Sequence, residues 1–320
     1  MFKNNKIKIY LSILLAFSIF FVGCAKKEKN DNKTSMKIES DTNKGNKKTI
    51  YTSFFPVTDL TKRIVGDKMN VETIIAPNEE PHSFEFKSED MKKVTNASLI
   101  VYNGANMESF IDDLKKSLKN DDKFLDLSQG LTLLETKSDL KTANHASVNP
   151  HTWLSIKNAM KQMDTLYKKI SSIDPENEAY YKKNLEENLK EFKEMDEKFE
   201  KTLSSVKKKD KYFVVSHAAF NYLADDYGLK QVAVTGISPE EEPSAKQLKE
   251  IADFVKEKGI TTIFFEGKAT PKVAQTLAQN TGTKTSTLYT MENLTEEEIK
   301  LGYIKLMQKN LENLMESFNE

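Results

Sequence analysis

The stretch from Asp174 to Val206, DPENEAYYKKNLEENLKEFKEMDEKFEKTLSSV, decides the fold. Asp174 precedes Pro175, so the pattern predicts a helix with Asp174 as its N-cap and proline in the first helical position. Apolar residues then recur at steps of three or four, which places them on one helical face; they are Tyr181, Leu185, Leu189, Phe192, Met195, Phe199, Leu203 and Val206. At 1.5 Å per residue the helix would be about 50 Å long. The length of this helix indicates a structural spine, that is, a rigid helix that connects two parts of the fold. A free coiled coil is the alternative.

Short apolar segments alternate with amphipathic segments on both sides of this helix. The predicted strands cover residues 50–54, 71–76, 98–102 and 123–127 before it, and 212–215, 231–235, 260–265 and 285–289 after it. Strands that are separated by helices favour parallel pairing. The predicted fold class is therefore α/β, with two α/β lobes of mainly parallel sheets that one long rigid helix joins across a cleft. Ligands of such sheets bind near the carboxyl ends of the strands.

The N-terminus has the composition of a targeting segment. Lys3, Lys6 and Lys8 precede a run of uncharged residues, 9–23, and the only cysteine of the chain, Cys24, follows it. The run is shorter than the roughly 20 residues of a membrane-spanning helix but suits a secretory signal. Its end resembles a bacterial lipoprotein lipobox, although Phe21 and Val22 differ from the usual residues. We therefore expect a lipid on Cys24, with an ordinary signal and an incidental cysteine as the alternative.

Composition shifts and the long helix together predict the domain organisation. Residues 1–23 form the signal peptide, and residues 24–48, which are polar and contain few large apolar side chains, form a disordered tether. The first lobe covers residues 49–173, the linking helix 174–208 and the second lobe 209–320.

Charge and motif content exclude several functional classes. The 320 residues include 48 basic and 48 acidic side chains, and this balance argues against a nucleic-acid-binding protein. A single cysteine rules out an internal disulfide and a cysteine-rich zinc site. The sequence contains no HExxH, GxSxG, Walker or GxGxxG motif. We therefore expect a globular protein that is not an enzyme.

Histidine is scarce, and its positions are informative. The chain has four histidines: His82, His145, His151 and His217. His82 and His151 follow prolines in loops, and His217 directly follows an apolar strand. Neutral imidazole is a preferred zinc ligand, and three histidines with one carboxylate can complete a tetrahedral shell. The long intervals between these residues match no short motif, so their spacing leaves a metal site and ordinary surface histidines equally open.

Several motifs, taken in order, carry a family resemblance. They are Pro81-His82-Ser83-Phe84-Glu85, Val101-Tyr102-Asn103-Gly104, Pro150-His151-Thr152-Trp153, Ser216-His217-Ala218-Ala219-Phe220, Gly236-Ile237-Ser238-Pro239 and Phe264-Phe265-Glu266. From about Thr49 to the C-terminus the chain resembles the metal-binding solute receptors of ABC transporters (cluster A-I). Within that family it is most similar to the zinc-uptake lipoproteins of Gram-positive bacteria.

The resemblance implies a ligand set and a cargo. Carried onto this chain, the metal ligands are His82 and His151 from the first lobe, His217 from the second, and Glu292 in the segment after the last strand. Manganese receptors of the family resemble this chain but have a carboxylate in place of His217, and imidazole favours zinc over manganese. We therefore expect Zn²⁺ as cargo, with manganese or iron as the alternative. His145 is interpreted as a plain loop histidine, and passing metal inward is its alternative role.

The family resemblance also implies location and partners. We expect a monomer that a lipid holds at the outer face of the cell membrane of a Gram-positive bacterium. It would bind Zn²⁺ between its lobes and deliver the ion to an ABC permease with a cytoplasmic ATPase. A surface adhesin with a structural metal is the other hypothesis, and no particular motif supports it.

Overall fold

The computed structural model describes residues 47–136, 147–266 and 271–320. Its first half contains strands β1 (Thr49–Thr52), β2 (Asn70–Thr73), β3 (Leu99–Tyr102) and β4 (Phe124–Asp126), connected by helices α1 (Phe55–Val65), α2 (Ser88–Val94) and α3 (Ile111–Leu118). All neighbouring strands pair in parallel, in the order β2-β1-β3-β4. Every residue of β3 is buried, as expected for a central strand that helices cover on both faces.

The second half repeats this arrangement. After α4 (Ile156–Ile173) and α5 (Glu178–Ser204) come β5 (Tyr212–Val215), α6 (Asn221–Tyr227), β6 (Lys230–Ala233), α7 (Ala245–Lys258), β7 (Thr262–Phe265), α8 (Pro271–Thr281), β8 (Lys284–Thr287) and α9 (Glu296–Asn319). The strands are again parallel, in the order β6-β5-β7-β8. The predicted fold class, two parallel-sheet α/β lobes, is confirmed.

The long helix begins later than its sequence pattern predicts. Residues Pro175–Asn177 form a 3-10 turn, and α5 follows from Glu178 to Ser204. Asp174 does not cap a backbone N–H group. Its carboxylate instead accepts hydrogen bonds from Lys48 Nζ at 2.7 Å, Asn177 Nδ2 at 2.8 Å and Tyr181 Oη at 2.5 Å. The tighter first turn explains the difference, because its geometry leaves the carboxylate free to bind side chains.

A single arginine fastens α5 to α1. Arg63 donates from Nε to Asp59 at 2.6 Å and from Nη1 to Asn188 and Glu191, each at 2.9 Å. The centre of its guanidinium group lies 5.4 Å from the ring centroid of Phe192. Planar guanidinium groups can bind carboxylates and stack on an aromatic ring at the same time. Arg63 therefore fixes the middle of the long helix against the first half of the chain.

The other contacts of α5 reach elements from the second half. Phe199 packs against Tyr227 of α6 at a centroid distance of 5.3 Å, and the Tyr227 hydroxyl donates to Asp196 at 2.6 Å. Phe192 stacks on Tyr303 of α9 at 5.1 Å. Gly302, with φ of 73°, interrupts α9 one residue earlier, a conformation that glycine adopts without strain. One helix thus contacts elements from both halves, as the spine interpretation expects.

Two helices that border the strand ends begin later than predicted. The sequence pattern predicts a helix over residues 217–227, but the helix begins at Asn221. Residues 216–220 form a turn before it, in which the Ala218 N–H donates to Gly236 O. The sequence pattern also predicts a helix over residues 108–118, which begins at Ile111. There the backbone of Ala105 and Asn106 is left-handed, with φ of 52° and 66°. Within the described ranges, no helix combines the length and apolar composition needed to cross a bilayer.

Removal of the Phe192 side chain tests the importance of the α1–α5–α9 contact. The ring is fully buried and packs on both Arg63 and Tyr303, so we expect Phe192→Ala to lower the free energy of unfolding by about 3–5 kcal/mol. Urea denaturation measures this change. Lys193→Ala is the matched control, because Lys193 is exposed on the same turn; it should change stability by less than about 0.5 kcal/mol. Equal effects of the two variants would contradict the packing role.

Candidate metal site

Four side chains from four distant segments meet at the carboxyl ends of the strands. His82 lies in the segment that follows β2, His151 directly precedes a 3-10 turn, His217 follows β5, and Glu292 lies between β8 and α9. One donor atom from each residue lies within 4.8 Å of every other. The structure therefore brings together all four residues that the sequence analysis nominates as ligands.

The donor atoms form a compact group. The Nε2 atom of His151 lies 3.2 Å from that of His82 and 3.1 Å from that of His217. Glu292 Oε1 lies 3.2 Å from His82 Nε2 and 2.9 Å from His151 Nε2, and Glu292 Oε2 lies 3.5 Å from His217 Nε2. A zinc ion with four donors at about 2.0–2.1 Å in tetrahedral geometry would hold them about 3.3 Å apart. The spacing therefore fits one small divalent cation.

Glu292 is held in an unusual environment. Both of its carboxylate oxygens are buried, and within the described part of the chain they face the three imidazoles at 2.9–3.5 Å. The preceding residue, Met291, is fully buried and has a left-handed backbone with φ of 66°, which is uncommon for a residue with a side chain. Two residues later, Leu294 N–H donates to Pro77 O at 2.8 Å. The backbone thus aims Glu292 at the imidazoles and ties its loop to the segment that carries His82.

Burial and charge shift the pKa values of these groups in different directions. Burial lowers the pKa of His151 to about 4, and the nearby charge of Glu292 offsets only part of that effect. Burial also acts to lower the pKa of His217, but the charges of Glu266 and Glu292 outweigh it and raise that pKa to about 9. Burial opposes ionisation of Glu292, yet the charges of His151 and His217 hold its pKa well below the usual range. Burial, followed by the charge of Glu292, raises the pKa of Glu80 to about 7.

Asn149 orients His151 and links the two halves of the chain. Its Oδ1 accepts from the His151 backbone N–H at 3.0 Å and lies 2.8 Å from Nδ1 of the same imidazole. Its Nδ2 donates to Ala218 O at 2.6 Å and to Asn221 Oδ1 at 3.0 Å. A partner on Nδ1 leaves Nε2 of His151 free to face the other donors. This role of Asn149 is not predictable from the sequence, because a hydrogen-bond partner of a ligand has no spacing signal of its own.

A second buried network supports the His151 loop from the first sheet. Asn103 Nδ2 donates to Pro150 O at 2.8 Å, and its Oδ1 accepts from Thr152 Oγ1 at 2.7 Å. The carboxylate of Glu108 in turn accepts from the N–H groups of Asn103 at 2.7 Å and Gly104 at 3.0 Å. Glu108 thus stabilises the conformation of the turn after β3 in which Asn103 can donate its hydrogen bond to Pro150 O. The sequence analysis quoted Asn103-Gly104 as a family motif but gave Glu108 no role.

Further cross-links surround the site. Trp153 Nε1 donates to Thr290 O at 2.7 Å, and the Tyr303 hydroxyl donates to Trp153 O at 2.5 Å. The Tyr222 hydroxyl donates to Asn149 O at 2.7 Å. Hydrogen bonds that are buried from water are costly to break. The segments that carry His151 and Glu292 are therefore held firmly, whether or not a metal ion is bound.

Two nominated residues cannot be placed. His145 and the expected lipidation residue Cys24 lie outside the described residues. Glu266, which the sequence analysis quoted only as part of a motif, lies beside His217 with its Oε1 at 2.5 Å from Nδ1. Its position directly after β7, at the same sheet edge as His217, is the sequence signal that could have identified it.

Comparisons with known proteins agree with this geometry. A family model described as "ZnuA: Zinc-uptake complex component A periplasmic" matches residues 50–317. The chain is 37% identical over 285 residues to the high-affinity zinc uptake system protein ZnuA of Bacillus subtilis, covering 86% of this chain and 88% of that protein. It is 35% identical over 326 residues to the zinc-binding lipoprotein AdcA of Streptococcus pneumoniae, and this match covers 99% of the chain but only 62% of AdcA.

A solved structure shows the same fold. The crystal structure of the Zn(II)-bound ZnuA-like domain of Streptococcus pneumoniae AdcA matches with a TM-score of 0.73 and 36% sequence identity. The match covers 86% of this chain and 100% of that domain.

The Glu108 network gives a prediction about pH. Burial raises the pKa of Glu108 from 4.5 to about 7, so the folded protein retains a proton between these pH values that the unfolded chain has lost. The free energy of unfolding must then fall as pH rises through this window. Gln at this position cannot ionise, so we expect the stability of Glu108→Gln relative to the parent protein to increase by about 1–3 kcal/mol between pH 5 and pH 8.

Urea denaturation at several pH values measures this relative change. Glu89→Gln is the control, because it removes the same charge from an exposed position on α2, and its stability should follow that of the parent protein. If the Glu108→Gln profile also stays parallel to the parent profile, the buried carboxylate does not titrate in this range.

Proposed function

The chain belongs to the family of periplasmic zinc-uptake component A proteins, and we propose that it captures Zn²⁺ outside the cytoplasm and delivers it to an ABC permease for high-affinity uptake. The observation that carries the proposal is the buried cluster of three imidazoles and one carboxylate, whose donor atoms lie within 4.8 Å of one another. The names of its relatives, a zinc uptake protein and a zinc-binding lipoprotein, support the same cargo.

The donor set favours zinc over manganese. Three neutral nitrogen donors and a single carboxylate suit a borderline metal such as zinc, whereas manganese prefers a shell that is rich in oxygen. The short distances between donors favour tetrahedral coordination, which leaves no space for the additional ligands of an octahedral ion. Four protein donors also close the shell, and a catalytic zinc centre needs an open position for water. A closed shell of this kind suits binding and transport.

Capture couples metal binding to proton release. Nitrogen ligands must be deprotonated before they bind a metal ion. In the metal-free protein, the Glu292 carboxylate is ionised and lies between the imidazoles. A protonated imidazole of the site neutralises its negative charge. Zn²⁺ then takes over this neutralisation. The ligands come from both halves of the chain, so a bound ion connects the two lobes, which we place at residues 49–173 and 209–320 around the 174–208 linker.

Location and delivery complete the proposed function. We propose that residues 1–23 direct export, that Cys24 carries a lipid, and that residues 24–48 tether the receptor to the outer face of the membrane. The loaded monomer then docks on the permease, whose cytoplasmic ATPase drives uptake. These steps rest on the lipobox-like sequence and on the family.

A competition experiment tests the cargo and the ligands together. The full chain, purified in detergent and stripped with a chelator, is titrated with Zn²⁺ and Mn²⁺ while bound metal is counted. We expect one tight zinc per chain, and we expect binding at least about 100-fold weaker in single alanine variants of the four ligands His82, His151, His217 and Glu292, because each loses one of four bonds to the ion. His145→Ala is the matched histidine control and should bind as the parent does.

Each other outcome overturns a stated part of the proposal. Tighter binding of Mn²⁺ would overturn zinc as the cargo. Unchanged affinity in the His217→Ala variant would overturn the ligand set, and the absence of stoichiometric metal from the parent protein would overturn the receptor function itself.

Zinc should also stabilise the folded protein. A ligand that binds only the folded state, at a free concentration 100 times its dissociation constant, raises the free energy of unfolding by about 2.7 kcal/mol. We expect this shift in thermal or urea unfolding of the parent with zinc, and a shift of about 0.4 kcal/mol or less for Glu292→Ala at the same free zinc, because its site binds at least about 100-fold more weakly. A full shift in that variant would show that zinc stabilises the protein from another site.

A further inference from the structure

The three ligand imidazoles differ in what the second ring nitrogen contacts. Nδ1 of His217 lies 2.5 Å from a carboxylate oxygen of Glu266. Nδ1 of His151 lies 2.8 Å from the amide oxygen of Asn149. Within the described residues, Nδ1 of His82 makes no hydrogen bond, and the His82 side chain is 10% exposed. The support behind the ligands is therefore graded, from a carboxylate through a neutral amide to none.

Glu266 has few other interactions. It follows β7 directly and is only 5% exposed. The Ser216 hydroxyl donates to the same oxygen that faces His217. Within the described ranges, no lysine or arginine forms an ion pair with Glu266, and His217 is its one cationic partner. With an imidazole as its only counter-charge among the described residues, burial of this carboxylate is costly, so a purely structural role explains its position poorly.

We propose that Glu266 is a positioning residue for metal capture. Its carboxylate accepts the Nδ1–H of His217, which fixes the tautomer and ring orientation that turn the Nε2 lone pair toward the other three donors. The negative charge behind the ring also makes His217 a stronger electron donor than the other two imidazoles. This inference rests on the proposed function, since it assumes that Zn²⁺ occupies the four-residue site.

Charge balance supports the same assignment. The two carboxylates at the site that are at least nine-tenths buried are Glu292 and Glu266. The Glu292 carboxylate faces the cation directly. The negative charge of Glu266 stabilises the cation indirectly, through the His217 ring. Together they match the two positive charges of Zn²⁺ without an anion from solvent. A stronger nitrogen donor benefits zinc more than manganese, so Glu266 also contributes to selectivity.

The first measurement uses the zinc-loaded parent protein. The chain has only four histidines, so nitrogen-15 labelling of histidine gives a small, assignable set of ring N–H signals. We expect His217 to show an Nδ1–H proton shifted strongly downfield, as a charge-assisted hydrogen bond produces. An Nε2–H signal from His217 in the loaded protein would overturn the proposal without recourse to any variant.

The second measurement compares Glu266→Gln with two controls. We expect Glu266→Gln to bind zinc about 10–100-fold more weakly, as is typical for the loss of such a partner, with a smaller loss for Mn²⁺ and an upfield move of the Nδ1–H signal. Ser216→Ala removes the other hydrogen bond to Glu266 and should leave that signal in place. In a His217→Ala background, Glu266→Gln should have no further effect on zinc affinity.

The outcomes separate this inference from the proposed function. Parent protein that binds one zinc, with the same affinity and the same Nδ1–H signal in Glu266→Gln, would overturn the role of Glu266 and leave the receptor function standing. A loss of affinity that persists in the His217→Ala background would also overturn it, because the effect would not pass through that ring. Parent protein that binds no zinc would overturn both.

Discussion

Both carboxylate oxygens of Glu292 are buried, and the site is arranged around that constraint. A buried charge that is left uncompensated costs more than the 1–3 kcal/mol of an unsatisfied neutral group, so the fold must supply compensation. It does so with three imidazoles whose Nε2 atoms surround the carboxylate at 2.9–3.5 Å. The same four groups direct three imidazole nitrogens and one carboxylate at a common point, which is the donor set that we propose for Zn²⁺.

Such a cluster needs a frame that keeps four distant segments in register. The bond from Leu294 to Pro77 joins the Glu292 loop to the His82 segment, and the bond from Trp153 to Thr290 joins it to the His151 turn. Asn149 then reaches Ala218, beside His217. Beneath these loops, α5 contacts helices from both halves through Arg63 and through aromatic packing. From this frame we expect small local movements during the proposed capture, and not wide closure of the cleft.

Sequence patterns predicted the parts of this molecule that depend on local periodicity. Every predicted strand overlaps an observed one, and the apolar stripe of α5 is the buried face. Helix starts next to the site were less predictable: Ala105 and Asn106 adopt left-handed backbone that no local propensity signals. Glu292 was predicted as a ligand from family resemblance alone. Local sequence patterns could not indicate its burial, because that burial depends on the left-handed backbone of Met291. Asn149 could not be given a role, since a hydrogen-bond partner is defined only when separate segments meet, whereas Glu266 is marked in the sequence by its position directly after β7.

The graded support of the three imidazoles gives the site a direction. The side chains of His151 and His217 are fully buried and Glu292 is 2% exposed, whereas His82 is 10% exposed and has no partner on Nδ1 among the described residues. In the proposed capture, an ion from solvent would therefore meet His82, the least constrained ligand, before the two fully buried imidazoles. Because ordering of a ligand costs conformational entropy, the bond to His82 is also the easiest to give up. For the receptor that we propose, a preorganised interior favours affinity, and one less constrained ligand at the rim favours release of the ion.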